Sequence, residues 1–236
     1  MGYTRSMQYP DIDPTDVRWT VRSYRNVWAD LVALRRDGQR PLVVGIDGHS
    51  GSGKTTLATG LAALKPDTAV VHTDDLAWHH SFFGWAGLLI DHLLVPLHEG
   101  RLPVCYRPSA WIQRDRPGAI TIPDKTAAVL VEGVGVASRQ ARPWLDAVVW
   151  VHARAEVGRR RVIAKGVDSE EFIDDWMSQE NAFLAEHRPW EVADLVLRQG
   201  VRLVTLIGAA VMAVLAVVSL AHRRHGLRRR DGVPAP

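Results

Sequence analysis

The chain has few residues from which a disulfide or a zinc site could be built. Its 236 residues include a single cysteine, Cys105, which excludes an intramolecular disulfide. It contains neither a C-x-x-C nor an H-E-x-x-H pattern, so no structural or catalytic zinc site is expected. With 47% hydrophobic and 23% charged residues, the composition is that of an ordinary globular protein.

Most of the chain also lacks an excess of positive charge, because the basic residues that set the net charge are concentrated near the C-terminal end. The net charge is +3, but residues 201–236 hold six arginines and one aspartate, a local net of +5. Residues 1–200 therefore carry a net −2, which gives no reason to expect a nucleic-acid partner. The first 20 residues contain three aspartates and no apolar core, unlike a signal peptide. We expect residues 1–200 to remain in the cytoplasm.

One segment matches a phosphate-binding motif. Residues 48–55 read Gly-His-Ser-Gly-Ser-Gly-Lys-Thr, the P-loop pattern G-x-x-x-x-G-K-[ST]. An apolar run precedes it and a helical run follows, which is the context that the motif requires. Lys54 is expected to reach the β- and γ-phosphates of ATP, and the Thr55 hydroxyl to ligate Mg²⁺. The residues expected to bind the nucleotide are Gly48, Ser50, Gly51, Ser52, Gly53, Lys54, Thr55 and Thr56.

Short apolar runs alternate with helical patterns along residues 41–200. This alternation predicts an α/β fold, with a parallel sheet of about five strands and helices on both faces. The predicted strands are residues 42–46, 69–72, 127–131, 147–151 and 194–197. The predicted helices are residues 19–36, 56–62, 85–98, 154–165 and 170–187. Residues 107–123 are expected to form a loop or a short hairpin.

Three carboxylates follow the predicted strands, at the edge where open α/β sheets bind ligands. Asp74 and Asp75 come after the second strand, where one could accept a proton or hold Mg²⁺, or simply cap a helix. Glu132 ends the third strand, where a carboxylate can join the Mg²⁺ shell, although Glu-Gly could also be a plain turn. We expect at least one of the two aspartates to act in catalysis and Glu132 to serve the metal, with Asp75 as a further candidate for the metal.

A basic helix and an aromatic cluster complete the candidate residues. Arg154, Arg159, Arg160 and Arg161 crowd the helix at 154–165. We expect Arg159 or Arg160 to neutralise phosphate charge, the alternative being a solvated helix face. The aromatic cluster could stack on a planar acceptor or could pack within a core or a lid. Its members are Trp78, His79, His80, Phe82, Phe83 and Trp85.

These motifs together resemble the uridine kinase-like branch of the P-loop kinases, from about Pro41 to Leu197. The resemblance rests on the P-loop, on Thr73-Asp74-Asp75-Leu76, on Val131-Glu132-Gly133 and on Trp176-Met177-x-x-Glu180. It implies that Asp74 is the base and that residues 154–175 form a lid. The family's Tyr-Asp-aromatic element is replaced here by Tyr106-Arg107-Pro108-Ser109-Ala110-Trp111, which lacks the aspartate. Tyr106, Arg107 and Trp111 could still line an acceptor pocket.

The expected function is transfer of the γ-phosphate of ATP, with Mg²⁺, to a hydroxyl of a nucleoside or a similar small metabolite. The alternative is a membrane-tethered nucleotide-binding module that senses or scaffolds with little turnover. The missing aspartate and an apolar tail motivate this alternative. An acceptor screen separates the two, because only a kinase releases ADP in response to an acceptor.

The apolar tail is Leu203–Ala221, about 19 residues without charge, and an arginine cluster follows it. This length is close to the roughly 20 residues that span a bilayer. We expect a transmembrane helix, the alternatives being a buried core helix or an interfacial helix on anionic lipid. The chain is thus divided into an N-terminal lead-in and helix (1–40), a P-loop kinase-like domain (41–200), a transmembrane helix (201–222) and a basic tail (223–236).

Overall fold

A parallel sheet of five strands organises the computed structural model, which describes residues 20–198. The strand order is β2-β5-β1-β6-β7, and each neighbouring pair is parallel. The strands of this sheet are β1 (Leu42–Asp47), β2 (Thr68–His72), β5 (Ala128–Glu132), β6 (Ala147–His152) and β7 (Leu195–Arg198). The predicted sheet of about five parallel strands is therefore confirmed.

The helices alternate with these strands as the sequence pattern predicts. They are α1 (Tyr24–Ala33), α2 (Lys54–Ala62), α3 (Thr73–Ala77), α4 (Ala86–Leu89), α5 (Val95–His98), α6 (Ser109–Gln113), α7 (Ala155–Ala164) and α8 (Glu170–His187). A π-helical turn at Ile90–Leu94 joins α4 to α5, so the helix predicted at 85–98 is continuous but irregular. Short 3₁₀ turns occupy Arg142–Trp144 and Pro189–Glu191.

The first helix begins later than its apolar spacing predicts. Ser23 is its N-cap, and the Ser23 hydroxyl accepts the N–H of Asn26 at 3.3 Å. Upstream of this cap, the Thr20 N–H donates to the carbonyl oxygen of Val196 at 3.1 Å. The backbone at residue 20 is therefore extended beside β7, which excludes it from the helix.

The sheet separates two apolar cores, because successive residues of a strand face opposite sides. In β1, Val43 contributes to one core, and Leu42, Val44 and Ile46 contribute to the other. All six residues of β1 are buried, as expected for a central strand of a sheet covered on both faces. This burial explains why the strand is a continuous apolar run in the sequence.

The segment predicted as a loop or short hairpin contains both a hairpin pair and a helix. Strands β3 (Val104–Tyr106) and β4 (Ile120–Ile122) pair antiparallel outside the main sheet. Helix α6 lies between them in the chain. The buried positions Val104, Ile120 and Ile122 attach this pair to one of the two cores.

The predicted transmembrane helix lies outside the described residues, as do the basic tail and most of the lead-in at residues 1–19. Within residues 20–198, no helix is both long enough and apolar enough to cross a bilayer.

A buried ion pair ties the segment before β1 to the start of β6. The Arg40 guanidinium donates to both carboxylate oxygens of Asp146, at 2.8 and 2.7 Å. The same carboxylate accepts the Val43 N–H at 2.9 Å, and Asp146 is 3% exposed. Both charges are therefore desolvated, and Asp146 is the main compensation for Arg40, because the exposed Asp37 carboxylate lies 4.0 Å from its guanidinium.

Asp146→Ala is expected to lower the free energy of unfolding by about 3–5 kcal/mol, because it leaves the Arg40 charge buried without its partner. Denaturant unfolding followed by circular dichroism measures the change. The matched control is Asp30→Ala, which removes the carboxylate of the exposed Arg22–Asp30 pair. That variant should lose at most about 1 kcal/mol. Equal losses for the two variants would contradict the structural role of the buried pair.

Candidate active site

The P-loop connects β1 to α2 at the carboxyl edge of the sheet. Gly51 and Gly53 have φ angles of +71° and +104°, in the left-handed region that favours glycine. Gly51 also has no room for a side chain, since a Cβ there would lie 2.4 Å from the carbonyl oxygen of Gly158 in α7. The loop is therefore tightly turned and packed directly against α7.

The inner backbone of this loop can accept an anion. Within the part of the chain that the structure describes, the N–H groups of Gly51, Gly53, Lys54 and Thr55 have no protein acceptor. Lys54 and Thr55 open α2, whose N-terminus carries partial positive charge. Adjacent N–H groups at a helix N-terminus are a favourable phosphate site.

The Lys54 ammonium is held across the loop. It is 8% exposed and donates to the carbonyl oxygens of Gly48 at 2.8 Å and His49 at 3.0 Å. Both acceptors are neutral, so the charge of Lys54 has no direct ionic partner among these contacts. A bound phosphate would offer charged acceptors, which bind an ammonium more strongly.

Glu132 lies at the end of β5, next to the P-loop. Its Oε1 accepts the Thr55 hydroxyl at 3.0 Å and lies 2.6 Å from Nδ1 of His72. Burial alone would raise the pKa of Glu132, but the hydrogen bonds from His72 and Thr55 and the charge of Lys54 outweigh it. The net pKa is lowered, so the carboxylate is ionised at neutral pH. A hydroxyl and a charged carboxylate thus converge where Mg²⁺ could be held.

The two aspartates after β2 lie in the short helix α3 and have different partners. Asp74 is exposed, yet the surrounding protein desolvates its carboxylate and raises its pKa, and the negative charge of Glu132 raises it further. Asp75 instead forms an ion pair with Arg116, at 2.6 Å between Oδ1 and the guanidinium. The charges of Glu132 and Lys54 both act on the pKa of Asp74, in opposite directions. The role of Asp75 at the metal stays a prediction.

Asp47 belongs to the site and was not predicted from the sequence. It is fully buried at the end of β1, and its carboxylate accepts the N–H groups of Gly48, Gly135 and Ala137 at 2.7 to 2.9 Å. Burial raises the pKa of Asp47, although these N–H groups act in the opposite direction. Asp47 joins the start of the P-loop to the chain that follows β5. A polar residue ending an apolar strand directly before the motif is the signal that could have identified it.

The arginines of α7 are divided between the P-loop and α8. Arg161 donates to the carbonyl oxygen of Gly51 at 3.0 Å. Arg159, which we expected near the phosphates, is paired with Asp174 at 2.8 Å and with Glu170 at 3.2 Å, both in α8. The contacts thus bring Arg161 to the loop, whereas phosphate roles for Arg159 and Arg160 stay predictions.

The three predicted acceptor residues lie around Arg116 and the β3–β4 pair. Trp111 is 4% exposed and donates its indole N–H to the Asp75 carbonyl oxygen at 2.9 Å. The Arg116 guanidinium lies 3.6 Å from the centre of the Trp111 ring, and Arg107 donates to the Arg116 carbonyl oxygen. Tyr106 stacks on His92 with ring centres 4.0 Å apart. Trp111 therefore supports the Asp75–Arg116 pair from the core.

Two members of the aromatic cluster after α3, Phe82 and Phe83, pack on α8. Phe83 stacks on Phe183 at 4.2 Å between ring centres and on Trp176 at 5.3 Å. Phe82 meets Trp176 edge to face at 4.8 Å. Of the two interpretations open from the sequence, these contacts favour packing over stacking on an acceptor for Phe82 and Phe83.

Of the comparisons with known proteins, the one with solved structures gives matches, and they agree with this architecture. No family model and no curated protein sequence matches the chain. A solved structure of a possible uridine kinase from Bacillus stearothermophilus does match, with 23% identity and a TM-score of 0.51. The match covers 74% of this chain and 96% of that one. The chain has a P-loop kinase fold. A Silicibacter protein described as a fructose transport system kinase matches at 17% identity with a TM-score of 0.48, over 75% of this chain and 100% of that one.

Two further residues of the candidate site, His72 and Arg116, were not predicted from the sequence as site residues. His72 and Arg116 each contact a predicted carboxylate, but they lie 60 and 41 residues away from it in the chain. His72 does carry one signal, because it is the last residue of the strand predicted at 69–72 and therefore lies at the ligand-binding edge of the sheet. Arg116 carries no such signal, because it lies in an irregular segment whose path depends on tertiary packing.

Asp74→Asn is expected to raise the thermal unfolding temperature at pH 7. The raised pKa of Asp74 means that the folded chain binds this proton more tightly than the unfolded chain does. Ionised Asp74 therefore costs stability above its folded pKa, and the cost shrinks as the pH falls through that pKa. It disappears below the unfolded value of about 3.9.

Melting curves of Asp74→Asn and of the parent chain, recorded from pH 7 down to below the unfolded pKa of about 3.9, test this expectation. The advantage of the variant should be largest at the high end of that range. Asp168→Asn, at an exposed position, is the matched control and should change little. A variant that is less stable than the parent at pH 7 would contradict the sign of the effect.

Proposed function

We propose that this protein is an ATP- and Mg²⁺-dependent small-molecule kinase, which transfers the γ-phosphate to a hydroxyl of a nucleoside or a similar metabolite. The observation that carries the proposal is the convergence of the P-loop, the Thr55–Glu132 contact at 3.0 Å and the electrostatically coupled Asp74. These are the parts that phosphoryl transfer needs: a phosphate cradle, a metal-binding position and a base.

The nucleotide is bound through its phosphates. The N–H groups of Gly51, Gly53, Lys54 and Thr55 surround the β-phosphate, and Lys54 exchanges its two carbonyl acceptors for phosphate oxygens. The other residues predicted to bind the nucleotide shape or border the same loop. They are Gly48, Ser50, Ser52 and Thr56. ATP is the ligand because its phosphate chain also supplies the group that is transferred.

The Thr55 hydroxyl and the Glu132 carboxylate are the groups that would hold Mg²⁺. Both oxygens already lie 3.0 Å apart, and the donor set is the hard oxygen chemistry that Mg²⁺ prefers. Within residues 20–198 no group of three acidic, histidine or cysteine side chains could hold a metal ion. Such a cage is not needed, since Mg²⁺ in kinase sites keeps several waters and binds phosphate oxygens. When bound, it neutralises charge on the β- and γ-phosphates.

Asp74 acts on the acceptor. Its carboxylate takes the proton of the attacking hydroxyl while the hydroxyl oxygen bonds to the γ-phosphorus and the bond to the β–γ bridging oxygen breaks, releasing ADP. The raised pKa of Asp74 makes it a stronger base than an ordinary aspartate. The rate should therefore fall as acidification protonates it.

Arginines and aromatic residues complete the proposed site. Arg161 borders the loop at Gly51, and Arg159 or Arg160 joins it if α7 moves over the phosphates. Tyr106, Arg107 and Trp111 border the acceptor side, with Trp111 acting through Arg116. The similarity to a possible uridine kinase supports a nucleoside as one class of acceptor, alongside other hydroxylated metabolites.

A nucleotide-binding module with little turnover is the second candidate. Two observations favour it. The segment that replaces the family's Tyr-Asp-aromatic element has no aspartate, with Ala110 among its residues. The apolar run Leu203–Ala221 resembles a membrane anchor. Such a module would bind ATP through the same loop and would sense or scaffold at a membrane.

The full chain, incubated with ATP, Mg²⁺ and a panel of nucleosides and sugars, should release ADP faster with at least one acceptor. Asp74→Asn should lower kcat by about 10²- to 10⁴-fold, because it removes the base. ATP binding, measured by calorimetry, should remain nearly unchanged. A coupled ADP assay measures the turnover.

The two candidate functions give different outcomes in this experiment. A folded chain that binds ATP but releases no additional ADP with any acceptor would favour the binding module over the kinase. An Asp74→Asn variant with full activity would show that another group is the base. Lys54→Ala is the control for the nucleotide site and should lose ATP binding.

The apolar run is expected to attach the full chain to lipid. Wild-type protein should sediment with anionic vesicles, and the double variant Val211→Arg, Leu215→Arg should not. Each arginine near the centre of a bilayer costs about 2.5–3.5 kcal/mol. The control is Val211→Ile with Leu215→Ile, which keeps the run apolar. Protein that stays in the supernatant without detergent in all three forms would contradict the attachment.

A further inference from the structure

A buried carboxylate of α8 contacts the outer side of the P-loop. Glu180 is 0% exposed, and its Oε1 lies 2.9 Å from both the Ser50 N–H nitrogen and Nδ1 of His49. Its Oε2 accepts the Ser50 hydroxyl at 2.5 Å and the Trp176 indole N–H at 3.0 Å. We refer to His49, Ser50, Trp176 and Glu180 as the Glu180 cluster.

The other members of the cluster donate hydrogen bonds to the Glu180 carboxylate, which is buried away from solvent. Burial alone would raise the pKa of Glu180, but hydrogen bonds from His49 and Ser50 and the charge of Lys54 lower it overall. The carboxylate is therefore ionised and accepts charge-assisted hydrogen bonds, the stronger kind. A buried charge with four donors holds its donors in place, because losing any of them leaves part of the charge uncompensated.

Two successive residues of the loop are oriented by these bonds. The Ser50 N–H and hydroxyl both point at Glu180, so neither is available on the inner side of the loop. Of the N–H groups that follow, Ser52 donates to the His49 carbonyl oxygen at 3.0 Å, whereas those of Gly51, Gly53, Lys54 and Thr55 have no protein acceptor within the described residues. The chain therefore turns from facing α8 to facing the phosphate site between Ser50 and Gly51, where φ is +71°.

Trp176 extends the cluster to the acceptor side of the site. Its indole N–H lies 2.9 Å from the Ser50 hydroxyl as well as 3.0 Å from Glu180. Its ring contacts Phe82 and Phe83, which follow the aspartates of α3 in the chain. One side chain of α8 thus touches both the P-loop and the segment after α3.

We propose that Glu180 is a positioning residue, which holds the outer half of the P-loop so that the N–H groups of Gly51, Gly53, Lys54 and Thr55 face the nucleotide phosphates. The inference rests on the nucleotide-binding part of the proposed function. Glu180 does not touch the nucleotide, and it acts through Ser50 and His49. Its effect is therefore on the affinity for ATP rather than on the transfer step.

The test compares Glu180→Gln with Glu186→Gln in the full chain. Glutamine has the same shape, but it has one carbonyl oxygen in place of two charged oxygens, and its NH₂ group opposes the indole N–H of Trp176. Calorimetry with MgATP should give a Kd about tenfold higher for Glu180→Gln, equivalent to about 1.4 kcal/mol. Glu186 is an exposed glutamate of the same helix, and its variant should bind ATP like the parent.

A second variant distinguishes the loss of a hydrogen bond in the cluster from misfolding of the protein. Trp176→Phe removes the indole N–H while keeping a ring against Phe82 and Phe83, so it should fold and should raise the Kd about threefold. Where an acceptor turns over, Glu180→Gln should raise KM for ATP about tenfold and change kcat by less than about threefold. A residue that only stabilises the fold would lower the melting temperature and leave the Kd and KM of the folded protein unchanged.

The outcomes distinguish failure of the proposed nucleotide binding from failure of the positioning role of Glu180. If the parent chain does not bind MgATP, the proposed function fails irrespective of Glu180. If the parent binds and a folded Glu180→Gln variant binds equally well or more tightly, the positioning role is overturned while the nucleotide site stands. A loss of the same size in Glu186→Gln would also overturn it, because the effect would then come from the general charge of α8.

Discussion

The contact between Thr55 and Glu132 is the interaction on which the candidate site depends. It exists because β1 and β5 are parallel neighbours at the centre of the sheet, with Ile46 opposite Glu132. The chain leaving β1 forms the P-loop, and the chain reaching the end of β5 presents a carboxylate at the same edge. A strand order that placed another strand between β1 and β5 would move the phosphate loop and its acidic partner about 4.8 Å further apart, one strand spacing.

The P-loop is held from three directions, and each contact uses a different kind of interaction. Asp47 anchors its start through backbone N–H groups. Gly158 of α7 meets Gly51 backbone to backbone, which only glycine permits on either side. Glu180 of α8 binds the outer face at His49 and Ser50. Together they preorganise a loop whose inner N–H groups would otherwise have many orientations, which is how a rigid anion site is built.

The acidic residues of the site have distinct chemistry because their surroundings differ. Asp47 is enclosed and bound by backbone N–H groups, so it serves the fold. Glu132 is kept ionised by His72, Thr55 and Lys54, which suits a metal ligand. Asp74 faces Glu132 with fewer donors and has a raised pKa, which suits a base. Residue type alone does not distinguish these roles. The number of donors and the nearest charge do.

The sequence by itself determined the α/β class, the strand positions and the P-loop, because buried parallel strands are apolar runs and the motif is contiguous. It also indicated Asp74 and Glu132, since both directly follow such runs. It could not select among the arginines of α7, because the packing of Gly158 on Gly51 decides that Arg161 faces the loop and Arg159 faces α8. Only the tertiary structure joined Arg116 to Asp75 and Glu180 to Ser50, 41 and 130 residues apart, since pairing over such distances depends on how helices and loops pack on the sheet.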